Sequence, residues 1–66
     1  MILTTRLKEL RKSENLTQSD VANAVGISKS AYSNYEQGTR EPSYEILIKI
    51  CKFYGVTSDY LIGLED

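Results

Sequence analysis

Residues 17–37 read Thr17-Gln-Ser-Asp-Val-Ala-Asn-Ala-Val-Gly-Ile-Ser-Lys-Ser-Ala-Tyr-Ser-Asn-Tyr-Glu-Gln37. Thr17 is a good N-cap, and Asp20 stands three residues on, where a capping box places its carboxylate. Val21, Ala22 and Val25 then form one apolar face, and Gly26 stops the helix as a left-handed residue does. After Ile27, Ser28 caps the next helix. That helix runs to about Gln37 and ends at Gly38. One of its faces holds Ala31, Tyr32 and Tyr35; the other holds Lys29, Ser30, Ser33, Asn34 and Gln37. Two short helices joined by a tight glycine turn form a helix-turn-helix, and the small Ala22 lets them approach closely.

Working outward, Leu3, Leu7 and Leu10 repeat at helical spacing and predict a first helix ending near Ser13 or Glu14. Asn15-Leu16 is a break. Thr39 to Pro42 is a polar loop, and Glu41, lying before proline, is pushed out of helical geometry. A fourth helix is expected from Ser43 to about Tyr54, closed by Gly55. Thr57 or Ser58 caps a last short helix ending at Gly63. No segment reads as a strand. The expected fold is all-α, a compact five-helix single domain over 1–66, with the helix-turn-helix at 17–37 and helices four and five at 43–62.

The fourth helix is apolar on most sides. Tyr44, Leu47, Ile50, Cys51 and Tyr54 define a stripe expected to face the core. Ile46, Ile48 and Phe53 lie a quarter-turn or more from its centre. A helix apolar all round needs partners all round. With Ile62 and Leu64, these three outer residues are expected to form a homodimer interface.

Composition narrows the function classes. The chain has 66 residues, 41% hydrophobic and 26% charged, with no histidine and one cysteine. One cysteine and no histidine exclude a disulfide framework, a Cys/His zinc site and a Ser-His-Asp or Cys-His nucleophile. So small a domain offers no cleft for a carboxylate pair, and no enzyme, metal or cofactor is expected. Met1 to Arg6 reaches charge too early for a secretory h-region, and no apolar run approaches a membrane span. The unpaired Cys51 fits a reducing cytoplasm and is expected to be a small buried hydrophobe. The net charge is −1, but residues 1–40 balance to +2 and residues 41–66 to −3. Lysine, serine and asparagine suit base edges: lysine to guanine O6 and N7, asparagine to adenine, serine to either. By spacing alone, a DNA-reading helix and a plain helical interaction module both fit.

The stretch Leu16 to Ser43, with its Leu-Thr-Gln, Gly-Ile-Ser, Glu-x-Gly and Pro-Ser elements, closely resembles the XRE-type helix-turn-helix proteins, the group of Cro and the phage-repressor DNA-binding domains. The likeness continues through Leu47 to Val56 and Asp59 to Gly63, so it covers nearly the whole chain. The resemblance implies a cytoplasmic DNA-binding regulator of prokaryotic or phage origin. It also implies major-groove reading by the third helix and dimeric binding to a near-palindromic operator. It places Lys29, Ser30, Ser33 and Asn34 on base-reading positions. Gln18, Ser28, Gln37, Thr39 and Arg40 fall along the DNA backbone, and Arg11 and Glu36 form a structural ion pair. The departure is the acidic balance, which implies modest affinity for non-specific DNA.

The expected function is therefore a dimeric repressor of double-stranded operator DNA. The rival is a protein-interaction module of the same fold, such as an antitoxin or an anti-repressor partner. In 66 residues there is no room for a ligand-sensing domain, so no small-molecule ligand is expected.

Overall fold

The computed structural model describes residues 1–65. Five helices follow one another: α1 Ile2–Ser13, α2 Gln18–Val25, α3 Lys29–Gln37, α4 Tyr44–Tyr54 and α5 Ser58–Ile62. Their ends are where capping chemistry puts them. The Thr17 hydroxyl accepts from the Asp20 amide at 3.0 Å and the Asp20 carboxylate accepts from the Thr17 amide at 2.9 Å, closing the capping box. The Thr17 amide, and after it the Thr17 hydroxyl, hold the Asp20 carboxyl below the usual carboxylate range. Ser28, Ser43 and Thr57 cap α3, α4 and α5, accepting from the amides of Ala31, Ile46 and Tyr60. Thr57, not Ser58, is thus the cap of α5.

The core collects one stripe from each helix. Leu3, Leu7, Val21, Ala22, Val25, Tyr32, Ile50, Cys51 and Leu61 are buried. Leu10, Leu16, Ile27, Tyr35, Leu47 and Tyr54 pack around them. Burial alone raises the Cys51 thiol above its ordinary value, which keeps it an unreactive apolar group. Arg6 fastens the C-terminal end to α1. Its guanidinium stacks 4.1 Å from the Tyr60 ring centre and donates to the Tyr60 carbonyl and, at 2.6 Å, to that of Glu65.

Three residues of α4 depart from expectation. Tyr44 is 87% exposed, because it stands on the first helical turn, at the rim of a groove with Met1, Ile2, Leu47 and Ile62. Ile46, expected on an outer face, packs partly against the core. Phe53 lies about two and a half turns from Tyr44, on the opposite side of the helix. It lines a shallow surface with Ala24, Val25 and Lys49, and its ring meets Tyr54 edge-on at 5.1 Å. Phe53 and Ile62 therefore belong to different surfaces.

One charged group lies at the centre. Glu36, on α3, is 1% exposed. Its carboxylate accepts from Arg11 Nε at 2.7 Å and Nη2 at 3.1 Å, and from Gln18 Nε2 at 3.2 Å. Arg11 also donates to the Leu16 carbonyl at 3.0 Å, so one side chain joins the end of α1, the α1–α2 break and α3. Burial pushes the Glu36 carboxyl up, but hydrogen bonds from Arg11, Tyr32 and Gln18 with the Arg11 charge outweigh it and hold it below the ordinary range. The hydrogen bond to Glu36 correspondingly raises Arg11.

Arg11→Ala leaves a buried carboxylate unpaired, a change that costs about 3–5 kcal/mol, so thermal denaturation should show a melt far below the parent's. The pair also sets an acid limit. A carboxyl depressed in the fold stabilises fully above its unfolded value of about 4.3 and loses that contribution as pH falls through the folded value. Melting temperature should thus fall below about pH 4.3 in the parent and less steeply in Glu36→Gln.

Candidate functional site

The turn between α2 and α3 is three residues long and depends on Gly26, whose φ is +84°. The amides of Gly26 and Ile27 both donate to the Ala22 carbonyl at 2.9 Å. Ile27 then tucks against the core, and Ser28 opens α3.

α3 is fixed from beneath. Tyr32 is fully buried and its hydroxyl lies 3.0 Å from that of Tyr54. Burial, the first cause, drives both phenols above their ordinary range, so they stay neutral. Glu36, one turn on, holds the same face to α1. With Tyr32 and Glu36 committed inward, the opposite face of α3 is left to solvent.

That outer face brings the four expected reading residues together. Lys29, Ser30, Ser33 and Asn34 line one shallow hollow of about 270 Å³, open to solvent. Lys29 stands at the helix start, where the dipole disfavours a cation. Among the described residues neither Lys29 nor Arg40 has a carboxylate within ion-pair distance. Gln37 Nε2 donates to Ser33 Oγ at 3.0 Å, and the Thr39 hydroxyl shares its one hydrogen between Asn34 Oδ1 at 3.2 Å and the Asn34 carbonyl at 3.3 Å. The amides of Gly38, Thr39 and Arg40 also converge on that carbonyl, which folds the post-helix loop back along α3. Gln37, Thr39 and Arg40 are all exposed beside the hollow. Ser28 is exposed at the start of α3, its oxygen occupied by the cap.

Two features escaped the sequence. Gln18 sits at the start of α2 as expected, but its amide is tied to Glu36; nothing local to residues 18 and 36 announces that contact. The Gln37 and Thr39 side chains bond to Ser33 and Asn34 as well as flanking them. The Ser33–Gln37 spacing of four on one helix face was the readable signal for the first of these. Among the described residues no group of histidine, cysteine or carboxylate side chains could hold a metal, and no helix is long and apolar enough to cross a membrane.

The arrangement is a helix-turn-helix with a supported, outward polar second helix. A family model described as Helix-turn-helix matches residues 7–61, and the chain belongs to that family. It is 43% identical over 65 residues to the uncharacterized HTH-type transcriptional regulator YqaE of Bacillus subtilis, covering 98% of this chain and 56% of that protein. It is 40% identical over 62 residues to the cryptic phage CTXphi transcriptional repressor RstR of Vibrio cholerae, covering 94% of this chain and 56% of that one. Among solved structures, the P22 c2 repressor protein in complex with a synthetic operator superposes with a TM-score of 0.88 at 30% identity, over 92% of both chains. The chain spans about half the length of these curated relatives.

The turn can be tested alone. A Cβ at Gly26 would meet nothing within 4 Å, so substitution there acts through the backbone only. Gly26→Ala should cost about 1–2 kcal/mol in chemical denaturation and Gly26→Asn less, since asparagine tolerates the left-handed region.

Proposed function

We propose that the chain is a sequence-specific DNA-binding transcriptional regulator, a repressor that lays α3 in the major groove of an operator and carries out no catalysis. The carrying observation is the hollow formed by Lys29, Ser30, Ser33 and Asn34 on a helix whose other face is buried at Tyr32 and Glu36. Such a helix offers base-edge chemistry at a fixed height and angle. The major groove of B-DNA admits one α-helix, and its donor and acceptor pattern distinguishes all base pairs.

Contacts to the phosphates are assigned to the flanks. Gln18 and Ser28 stand at helix starts, where amides and dipole favour anions. Gln37, Thr39 and Arg40 follow the backbone beside the hollow. With few cations available, binding depends on base contacts more than on charge, so specific DNA is favoured over random DNA. We further assign the protein to the cytoplasm of a prokaryote and read residues 1–66 as one domain.

A single recognition helix covers only a few base pairs, so we assign a homodimer on an inverted repeat, with half-sites about one turn or 34–36 Å apart. The surface that supports it joins Tyr44 and Ile48 on α4 to Ile62 and Leu64, all exposed. Ile46 and Phe53 are left out of it for the packing reasons given above.

Selection of binding sites from random duplex DNA tests the function: an inverted repeat is expected. A protein that binds another protein tightly and enriches no DNA motif is the interaction module instead. On the recovered operator, Lys29→Ala should lose about 1–3 kcal/mol and relax preference at one base pair. Arg40→Ala should weaken all sequences alike and reduce the salt slope by about one. Identical effects of both changes on operator and scrambled DNA would refute that division. Ile62→Asp should leave the monomer folded while lowering operator affinity and cooperativity. One chain per operator at saturation in sedimentation would end the dimer assignment.

A further inference from the structure

A second surface lies apart from the reading face, where α4 meets the end of α2. Ala24, Val25, Gly26, Lys49, Lys52 and Phe53 line a shallow depression of about 480 Å³, and none of them lines the hollow on α3. Val25 is buried beneath it, while Phe53 is 40% exposed. The Phe53 ring is braced edge-on by Tyr54 at 5.1 Å, and a Cβ at Gly26 would meet nothing within 4 Å, so the space above the turn is open. Spacings of three and four put Lys49, Lys52 and Phe53 on one face of α4. Lys49 and Lys52 are the only cations among residues 41–66, against five carboxylates there, yet among the described residues no carboxylate lines the depression. Lys49 meets Glu45 at 3.9 Å, an exposed pair of little worth, and Lys52 has no carboxylate within ion-pair distance among the described residues.

An exposed apolar patch rimmed by charge of one sign suits a partner that carries both features in complement. Phosphate would satisfy the lysines and leave Phe53 uncovered, whereas a peptide can meet both. We infer that this surface docks an acidic peptide segment of a partner protein, with an apolar side chain packed on Phe53 over Val25 and flanking carboxylates on Lys49 and Lys52. The ring is already held by Tyr54, so little rotamer freedom is lost on binding. Lysine is a point charge on a flexible stem and pairs with carboxylates in several geometries. Charge and an apolar anchor therefore define the class of partner, not one fixed sequence. The surface shares no residue with the α3 hollow, so the inference goes beyond DNA reading and stands independently of it.

Selection from a displayed library of random peptides on the whole protein, followed by NMR titration with the peptides recovered, tests this. Enriched peptides should carry an aromatic or long aliphatic residue beside at least two carboxylates. Their binding should shift the amides of Ala24, Val25, Gly26, Lys49, Lys52 and Phe53 and leave those of Lys29 to Asn34 in place. Lys49→Glu with Lys52→Glu, a change confined to exposed side chains, should lower their affinity by about tenfold or more and flatten its salt dependence. Phe53→Ala, which removes the anchor, should lose about tenfold as well; should it unfold, the charge reversal still decides. The inference is overturned if no peptide is enriched, or if the enriched peptides lack carboxylates or map only to the groove beside Tyr44 and Ile62. It is overturned equally if the charge reversal leaves their affinity unchanged. Two other occupants have their own signatures, and either contradicts the peptide assignment. Weaker operator binding with a shallower salt slope in Lys49→Ala with Lys52→Ala makes these lysines phosphate contacts. Sedimentation that shifts to a smaller species in Phe53→Ala makes a second copy of the chain the occupant.

Discussion

The buried Glu36 carboxylate is the constraint around which the rest is arranged. A charge that is 1% exposed is tolerable only with full hydrogen bonding. Arg11 supplies two bonds from α1 and Gln18 one from the start of α2. Because the donors come from separate helices, satisfying the charge fixes α3 against both. An apolar contact at this point could slide; a two-pronged guanidinium–carboxylate pair has one geometry. Position and angle of the outward face of α3 follow from that.

Next to this fixed floor the outer face is built from short, polar side chains. Tyr32 and Tyr54 close the underside with neutral hydroxyls, and the loop after α3 is folded back by three amides sharing the Asn34 carbonyl. The hollow of Lys29, Ser30, Ser33 and Asn34 is therefore supported from below by the core and from one side by Gln37 and Thr39. Changes on the outer face should leave the fold intact, since none of those four side chains belongs to the core.

Local chemistry was legible in the sequence. Caps at Thr17 and Ser28 and stops at Gly26, Gly38, Gly55 and Gly63 are read within a few residues of themselves, and each falls where expected, while Ser43, read as the first residue of α4, is its cap. That Lys29, Ser30, Ser33 and Asn34 share one outward face was legible too, because helical spacing puts them there. What was not legible depends on distant partners. The helical stripe of α4 placed Tyr44 inward, but its ring stands exposed at the rim of the groove beside Met1 and Ile2. The same periodicity put Ile46 and Phe53 together outside, although α2 covers that side in part and Phe53 shares nothing with Ile62. The tie between Gln18 and Glu36 spans two helices and has no local mark. Periodicity gives the direction of a side chain; only the packing of other helices says whether anything is there.

The central claim is that α3, held by Glu36, presents its outer face to DNA. Mapping backbone amide shifts by NMR during titration with the selected duplex examines it residue by residue. The account predicts the largest changes at Lys29, Ser30, Ser33 and Asn34, with Gln18 and the 39–40 loop close behind and Phe53 unmoved. Changes concentrated at Tyr44, Ile48 and Ile62, with α3 silent, would contradict it.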